Sequence, residues 1–354
     1  MSTGVATAGR RRMRISVSTS QLWSVLGLPA VTIAMIAYFS TQSDKFFTTS
    51  NAQNIGRNMA ALMLLAVGQA FVILLGEIDI SVGAIVGLAT VNVAIAMSHF
   101  GVIGLLAAPI TGLVVGLVNG MLVATFLVHS VIITIGTMTA IRGIAYQVTG
   151  GQPATGDFSD AFRWIGTGSV GPFPAPFVIA VGVSVVAILV LRFTRLGPGL
   201  YGTGGNEEAA RLAGMPTYRL KVAAFAISGL CAGIAGLVLA ARIDSGQPNL
   251  GQGLELQAIA AAVIGGMALA GGRGAIEGVL MGVLVLTILQ NGLDIMNVNS
   301  YIQQILTGVI IVLAVIIDQL RGGNLPLLRR LPRRGGSPPP HAPEGQRVAG
   351  GGTT

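Results

Sequence analysis

Apolar residues gather in ten runs along this chain, near 22–39, 59–75, 82–98, 102–126, 131–148, 176–194, 221–240, 256–272, 275–295 and 301–319. Runs close to 20 residues match the length at which a helix crosses the roughly 30 Å hydrocarbon core of a bilayer. They are continuously apolar and rich in Gly and Ala, unlike the alternating segments of a β-barrel. The pattern therefore predicts an all-α polytopic membrane protein with about ten transmembrane helices. Runs eight and nine are separated only by "AGGRGA", which leaves nine spans as the alternative. The apolar, membrane-spanning body is 21–320, preceded by a basic segment 1–20 and followed by a Pro/Gly-rich tail 321–354 with no apolar pattern, which reads as disordered. "GRRRMR" followed by Leu22 to Phe39 resembles a signal peptide, but the apolar stretch is long and has no A-x-A site, so it reads as a retained first span.

The polar interruptions are the informative positions. "LLGEIDISVGAIVG" (Leu74 to Gly87) places Glu77 and Asp79 inside an otherwise apolar stretch. Intramembrane carboxylates cost several kcal/mol, so they face a cavity, a partner or a helix end. Asp79 with Ser81 and Gly83 reads as the N-cap of the span beginning near Val82, or else as a group in contact with what is transported. On both readings the stretch breaks one helix from the next. Asp79 recurs as Glu255, 176 positions later, and Asn119 of "VNG" recurs as Asn291 of "QNG", 172 positions later. Each offset moves the feature by five spans. Five is odd, so a tandem duplication inserts its second copy upside down, predicting two inverted five-helix repeats. "GQP" also recurs, at 151–153 and 246–248, with a spacing that does not fit this register.

Composition and charge set the surroundings. The 354 residues are 52% hydrophobic and 10% charged, with mean hydropathy +0.76, against about 25% charged in ordinary soluble domains. With ten spans and an internal N-terminus, Lys and Arg number sixteen in the inside loops and four outside, which puts both termini in the cytoplasm. That asymmetry accounts for the net charge of +8 without a nucleic-acid partner; the basic ends anchor the chain at anionic membrane lipid. Enzyme chemistry is missing. No H-E-x-x-H, paired Cys, G-x-S-x-G or Walker-A pattern occurs, and the two lysines are Lys45 and Lys221. Cys231 has no partner, and His99, His129 and His341 are scattered, which argues against a metal site.

One inside loop, 194–221, stands out. A Pro/Gly-rich approach leads to a short polar helix candidate capped by Asn206, with Glu207 and Glu208 in its first turn and Gly214 and Pro216 ending it. Such a helix, held between two spans, is a rigid projection that passes motion from a soluble partner. "EAARLAG" (Glu208 to Gly214) resembles the E-A-A-x-x-x-G core with which permeases of bacterial ABC importers dock onto their ATPases. "GEIDISVGAIVGLA" is similar to the G-G-I-D-L-S-V-G signature of the ribose, xylose and galactose type. "IITIGTMTAIRGIAYQVTGGQP" (Ile132 to Pro153) resembles that group's T-L-G-T-M-x-x-x-R-G segment, and "GGRGAIEGVLMGVLVLTILQNGLDIMNV" (Gly271 to Val298) its G-G-R-G-S-x-x-G…N-G segment. Two departures stand: Glu77 occupies a position usually Gly, which bears on the substrate, and the loop lacks a distal I-x-L-P.

The resemblance, covering about 55–320, implies a monosaccharide importer permease in a bacterial inner membrane. It implies a second permease copy, a cytoplasmic ATPase that binds the ATP and Mg, and an extracytoplasmic sugar-binding protein received near the outer loop 149–174 with its Trp164. No cofactor belongs to this chain itself. The ATPase-coupling residues are then Asn206, Glu207, Glu208, Ala209, Ala210, Arg211 and Gly214. Candidates along the sugar path, which need hydrogen-bonding groups, are Glu77, Asp79, Ser81, Asn119, Thr137, Thr139, Arg142, Gln290 and Asn291. Thr and Asn in spans also stitch helices together. Arg142, inside a span, wants a carboxylate, and Asp79 or Glu77 is the expected partner. A branched-chain amino acid permease is the related alternative, with "SGQPNLGQGLELQAIAAAVIGG" (Ser245 to Gly266) similar in flavour; an autonomous secondary transporter or channel is the alternative of another class.

Overall fold

The structure, a computed structural model, describes residues 27–321 apart from 127 and 157. The basic segment 1–20, the start of the first predicted span and the tail from 322 lie outside the described residues. Each apolar run corresponds to one helix. These are α1 (Leu28–Gln42), α2 (Thr49–Leu74), α3 (Val82–Phe100), α4 (Ala107–Phe126), α5 (Ser130–Thr149), α7 (Ala175–Phe193), α10 (Thr217–Ile243), α11 (Leu254–Ile264), α12 (Ile276–Ile295) and α13 (Ser300–Arg321). Between them lie α6 (Asp160–Thr167), α8 (Leu196–Gly205) and α9 (Glu207–Leu212). Among the described residues, six stretches are long and apolar enough to cross a membrane, one of them Val82–Phe126, which holds α3, a 3₁₀ turn at Gly101–Leu106 and α4. The eighth run is shorter as a helix than as a pattern: α11 has 11 residues, about 16 Å at 1.5 Å per residue, and Gly265 to Ala275 forms turns in place of a span.

Helix α2 is wrapped on all sides, with Leu64, Leu65, Val72 and Ile73 fully buried, as a helix apolar all round must be. It runs from the α6 end of the bundle, where Gly56 faces Pro174 and Phe177, to the α8–α9 end, where the Leu74 carbonyl accepts from Gly272. Helix α10 runs the other way beside it, from Thr217 next to α9 to Ile243 next to α6. Helices α10 and α4 approach one another closely. A Cβ on Gly112 would overlap the Gly229 carbonyl, and one on Gly229 would overlap that of Gly112. Gly116 and Gly233 repeat the arrangement one turn along each helix. Small residues at a four-residue spacing bring backbones together, so dispersion replaces the hydrophobic force that lipid does not supply.

Two segments differ from the sequence expectation. "LGPGLYGTGG", expected as an irregular approach, is helix α8; its glycines lose entropy in a helix but let α8 lie directly on the chain, with Gly204 against Leu74 and Gly272. Loop 149–174 is ordered by α6, capped by Ser159, and by a small antiparallel hairpin of β1 (Ser169–Val170) and β2 (Phe173–Pro174). It is held to the end of α10 by Arg163, whose Nε lies 3.2 Å from Asp244 Oδ2.

Gly229→Leu is expected to lower stability in detergent by about 1–3 kcal/mol or more, because the side chain meets backbone that cannot yield. Gly182→Ala on α7, where nothing lies within 4 Å of the added carbon, should leave the thermal midpoint unchanged or slightly raised.

Candidate functional site

The backbone from Gly76 to Ser81 leaves the α-helical path between α2 and α3, so its amides and carbonyls need partners from elsewhere. Two helices provide them. The side-chain amide of the fully buried Gln69 on α2 donates to the Asp79 carbonyl at 3.2 Å and accepts from the Asp79 N–H at 3.1 Å. From α5, the Ser130 hydroxyl accepts the Ile78 N–H at 3.0 Å and that of Thr134 accepts the Ile80 N–H at 3.2 Å. Inside this frame the Asp79 carboxylate is fully buried. It accepts the Ser81 N–H at 3.0 Å, the Ser81 hydroxyl at 2.6 Å and, from α10, the Ser228 hydroxyl at 3.0 Å. Asn119 on α4 donates to Ser81 Oγ at 2.8 Å.

Two expectations are corrected here. Asp79 does not cap α3: it closes the turn before the helix by binding Ser81, and Ser81, at the cap position, makes no side-chain bond to the first turn. Arg142 pairs with neither carboxylate. Asp79 already has three donors, and Glu77 is taken by Lys221, whose Nζ lies 3.0 Å from Glu77 Oε1. Arg142 is half-buried on α5, and its Nη1 has no hydrogen-bond partner among the described residues.

Lys221 is the residue that sequence reasoning missed. Its ammonium also lies 3.0 Å from Glu207 Oε2, so one side chain joins the break to the first residue of α9. Helix α9 itself is as its residues predict. Asn206 Oδ1 accepts the Ala209 N–H at 2.9 Å, Glu207 and Glu208 occupy the first turn, and Gly214 turns the chain with φ +81°. Ala210 packs inward, while Ala209 and Arg211 are exposed. Leu212, the last residue of α9, is 82% exposed. Beside α8, Arg192 meets Glu277 at 3.5 Å and the Tyr201 hydroxyl donates to Gly274 at 2.8 Å; burial, then the Glu277 charge, pushes that phenol above its ordinary pKa.

A second break, Ser245–Gly253, enters from the opposite end, after α10. Gly246 exchanges backbone hydrogen bonds with Ala154, and Gln247 donates to and accepts from the Thr90 hydroxyl on α3. It ends at Glu255, whose carboxylate lies against Gly83 at the start of α3, with Oε2 buried and without a hydrogen-bond partner among the described residues. The remaining candidates are not gathered into one site. Asn291 and Asn51 exchange amide hydrogen bonds at 2.9 and 3.0 Å, and Gln290 donates to Gln257 at 3.1 Å. Thr137 and Thr139 bond carbonyls of their own helix, and Thr139 is exposed on α5. Among the described residues no three His, Cys, Asp or Glu come together to hold a metal.

Comparison with known proteins adds to this geometry. The family model described as branched-chain amino acid transport system / permease component matches residues 51–315. The ribose import permease protein RbsC of Escherichia coli (strain K12) is 40% identical over 294 residues, covering 81% of this chain and 91% of that protein. RbsC of Bacillus subtilis (strain 168) is 36% identical over 88% and 96% of the two chains. The L-arabinose transport system permease protein AraH of Escherichia coli (strain K12) is 33% identical over 90% and 97%. No solved structure matches.

Ser228→Ala is expected to cost about 1.5–3 kcal/mol of stability, the range for a hydrogen bond to a charged group, since it strips a buried carboxylate oxygen. Ser184→Ala on α7, whose hydroxyl bonds only the Ala180 carbonyl of its own helix, should cost less than about 1 kcal/mol. Unfolding midpoints in detergent compare the two.

Proposed function

The chain belongs to the branched-chain amino acid transport system / permease component family, and on that premise we propose that it is the membrane-spanning permease subunit of an ATP-driven monosaccharide importer. The sugar reading is favoured over branched-chain amino acids because the ribose and arabinose permeases match along most of both chains. A separate cytoplasmic ATPase binds the ATP and Mg, and a binding protein outside the inner membrane delivers the sugar. The observation that carries the partnership is α9. A chain without a P-loop presents a capped polar helix with an exposed Leu212, the type of apolar anchor that an interface buries.

The ten apolar helices form, in this reading, ten spans in two inverted halves with both termini in the cytoplasm. The short α11 completes a crossing together with the non-helical turns of Ser245–Gly253, as non-helical backbone does when protein buries it. Two parallels support the halves. The breaks enter from opposite ends of α10, and in each the residue two after the acid meets an amide, Ser81 with Asn119 and Gln257 with Gln290. The open face of α5, with Thr139 and Arg142, faces a second copy, and the sugar passes between the copies as they alternate in access. Asp79, Ser81, Asn119, Gln290 and Asn291 shape that path from behind, by holding the breaks.

Affinity purification from native membranes tests the reading. The native chain should bring down a P-loop ATPase, and Leu212→Asp should cut its recovery about tenfold, as a loss near 1.4 kcal/mol would. Glu208→Lys/Gly214→Pro should abolish recovery. Absence of an ATPase from the native sample overturns the importer and favours an autonomous transporter. Proteoliposome uptake of labelled ribose or arabinose, but not leucine, is expected; leucine uptake alone selects the other branch of the family.

A further inference from the structure

Resting on the importer reading above, we propose that Lys221 is a positioning residue that carries displacement of α9 to the Glu77–Ser81 break and through it to α5. Its side chain is 7% exposed, and its ammonium sits 3.0 Å from carboxylates on two elements, the break and α9. The two arms are unequal: Glu77 is 16% exposed and Glu207 47%. Water can replace the outer arm at little cost, because a half-exposed pair is weak, whereas the inner arm has no such substitute. The group therefore has two arrangements. In one the ammonium is shared; in the other α9 has moved away with Glu207 and Lys221 is held by Glu77 alone.

The next links are already in place. Glu77 is followed directly by Ile78 and Ile80, whose amides are bonded to Ser130 and Thr134 of α5. Gln69 and Ser228 fix the intervening Asp79 to α2 and α10. A change at Lys221 thus reaches α5 through the part-buried hydrogen bonds that tie the break to Ser130 and Thr134. A two-arrangement element touched by both the cytoplasmic helix and a span is the physical requirement for coupling, which proximity alone does not meet.

The test uses the complex with its ATPase and binding protein in liposomes, measuring sugar taken up per ATP hydrolysed. Lys221→Met leaves a buried carboxylate alone and is prone to misfold. The informative variant is therefore Glu77→Gln/Lys221→Gln, a neutral pair that leaves no unpaired inner charge. It is expected to recover the ATPase as the native chain does, yet to take up at least tenfold less sugar per ATP. Lys221→Arg, which keeps both arms, should stay within twofold of native. A neutral pair that assembles and transports within twofold of native overturns the inference, as does Lys221→Arg failing as severely as the neutral pair. Failure of the native complex to take up sugar with ATP would instead overturn the importer reading.

Discussion

The structure depends on satisfying one short piece of non-helical backbone inside an apolar bundle. Between Gly76 and Ser81 the chain gives up its own ladder, and an unpaired amide or carbonyl there would cost several kcal/mol in hydrocarbon. Gln69, Ser130 and Thr134 supply partners from two different helices, and Ser228 and Asn119 complete the surroundings of Asp79 and Ser81 from two more. The position of α5 and the rotation of α2, α4 and α10 follow from this demand. A helix turned by one residue would remove its hydroxyl or amide from the break.

Packing against lipid imposes the second constraint. No hydrophobic force drives helices together in a bilayer, so α4 and α10 use glycine to bring carbonyls against Cα atoms, and Asn51 and Asn291 join α2 to α12 by a reciprocal amide pair. Polar side chains in the spans do two jobs as a result. Some hold one helix to the next, and only the exposed ones, such as Thr139, are free to meet another molecule.

The legible parts of the sequence were those with a local cause. Among the described residues each apolar run contains a helix, with six stretches long and apolar enough to cross a membrane, and α9 was readable because Asn206, Glu207, Glu208 and Gly214 signal a helix start and stop within nine residues. The break was readable because two carboxylates have no other reason to lie in such a stretch. Partners were not readable. Lys221 at the start of a span has the ordinary meaning of a topological anchor, and nothing near it in the chain announces Glu77, 144 positions earlier. Arg142 was assigned to the carboxylates because charge seeks charge, but Ser81 and Ser228 had met the need of Asp79 with neutral groups. Helix α8 was missed because glycine lowers helix propensity while permitting the contacts that make this helix stable.

The meeting of Glu255 with Gly83 has a consequence for how this protein can be inherited and recombined. A side chain at Gly83 would run into the Glu255 carboxylate and the Gly251 carbonyl, which belong to the far half of the chain. Drift at the start of α3 must therefore be answered near the start of α11. A chimera that takes its first half from one homologue and its second from another would have to match this contact as well as the approach of Gly112 to Gly229.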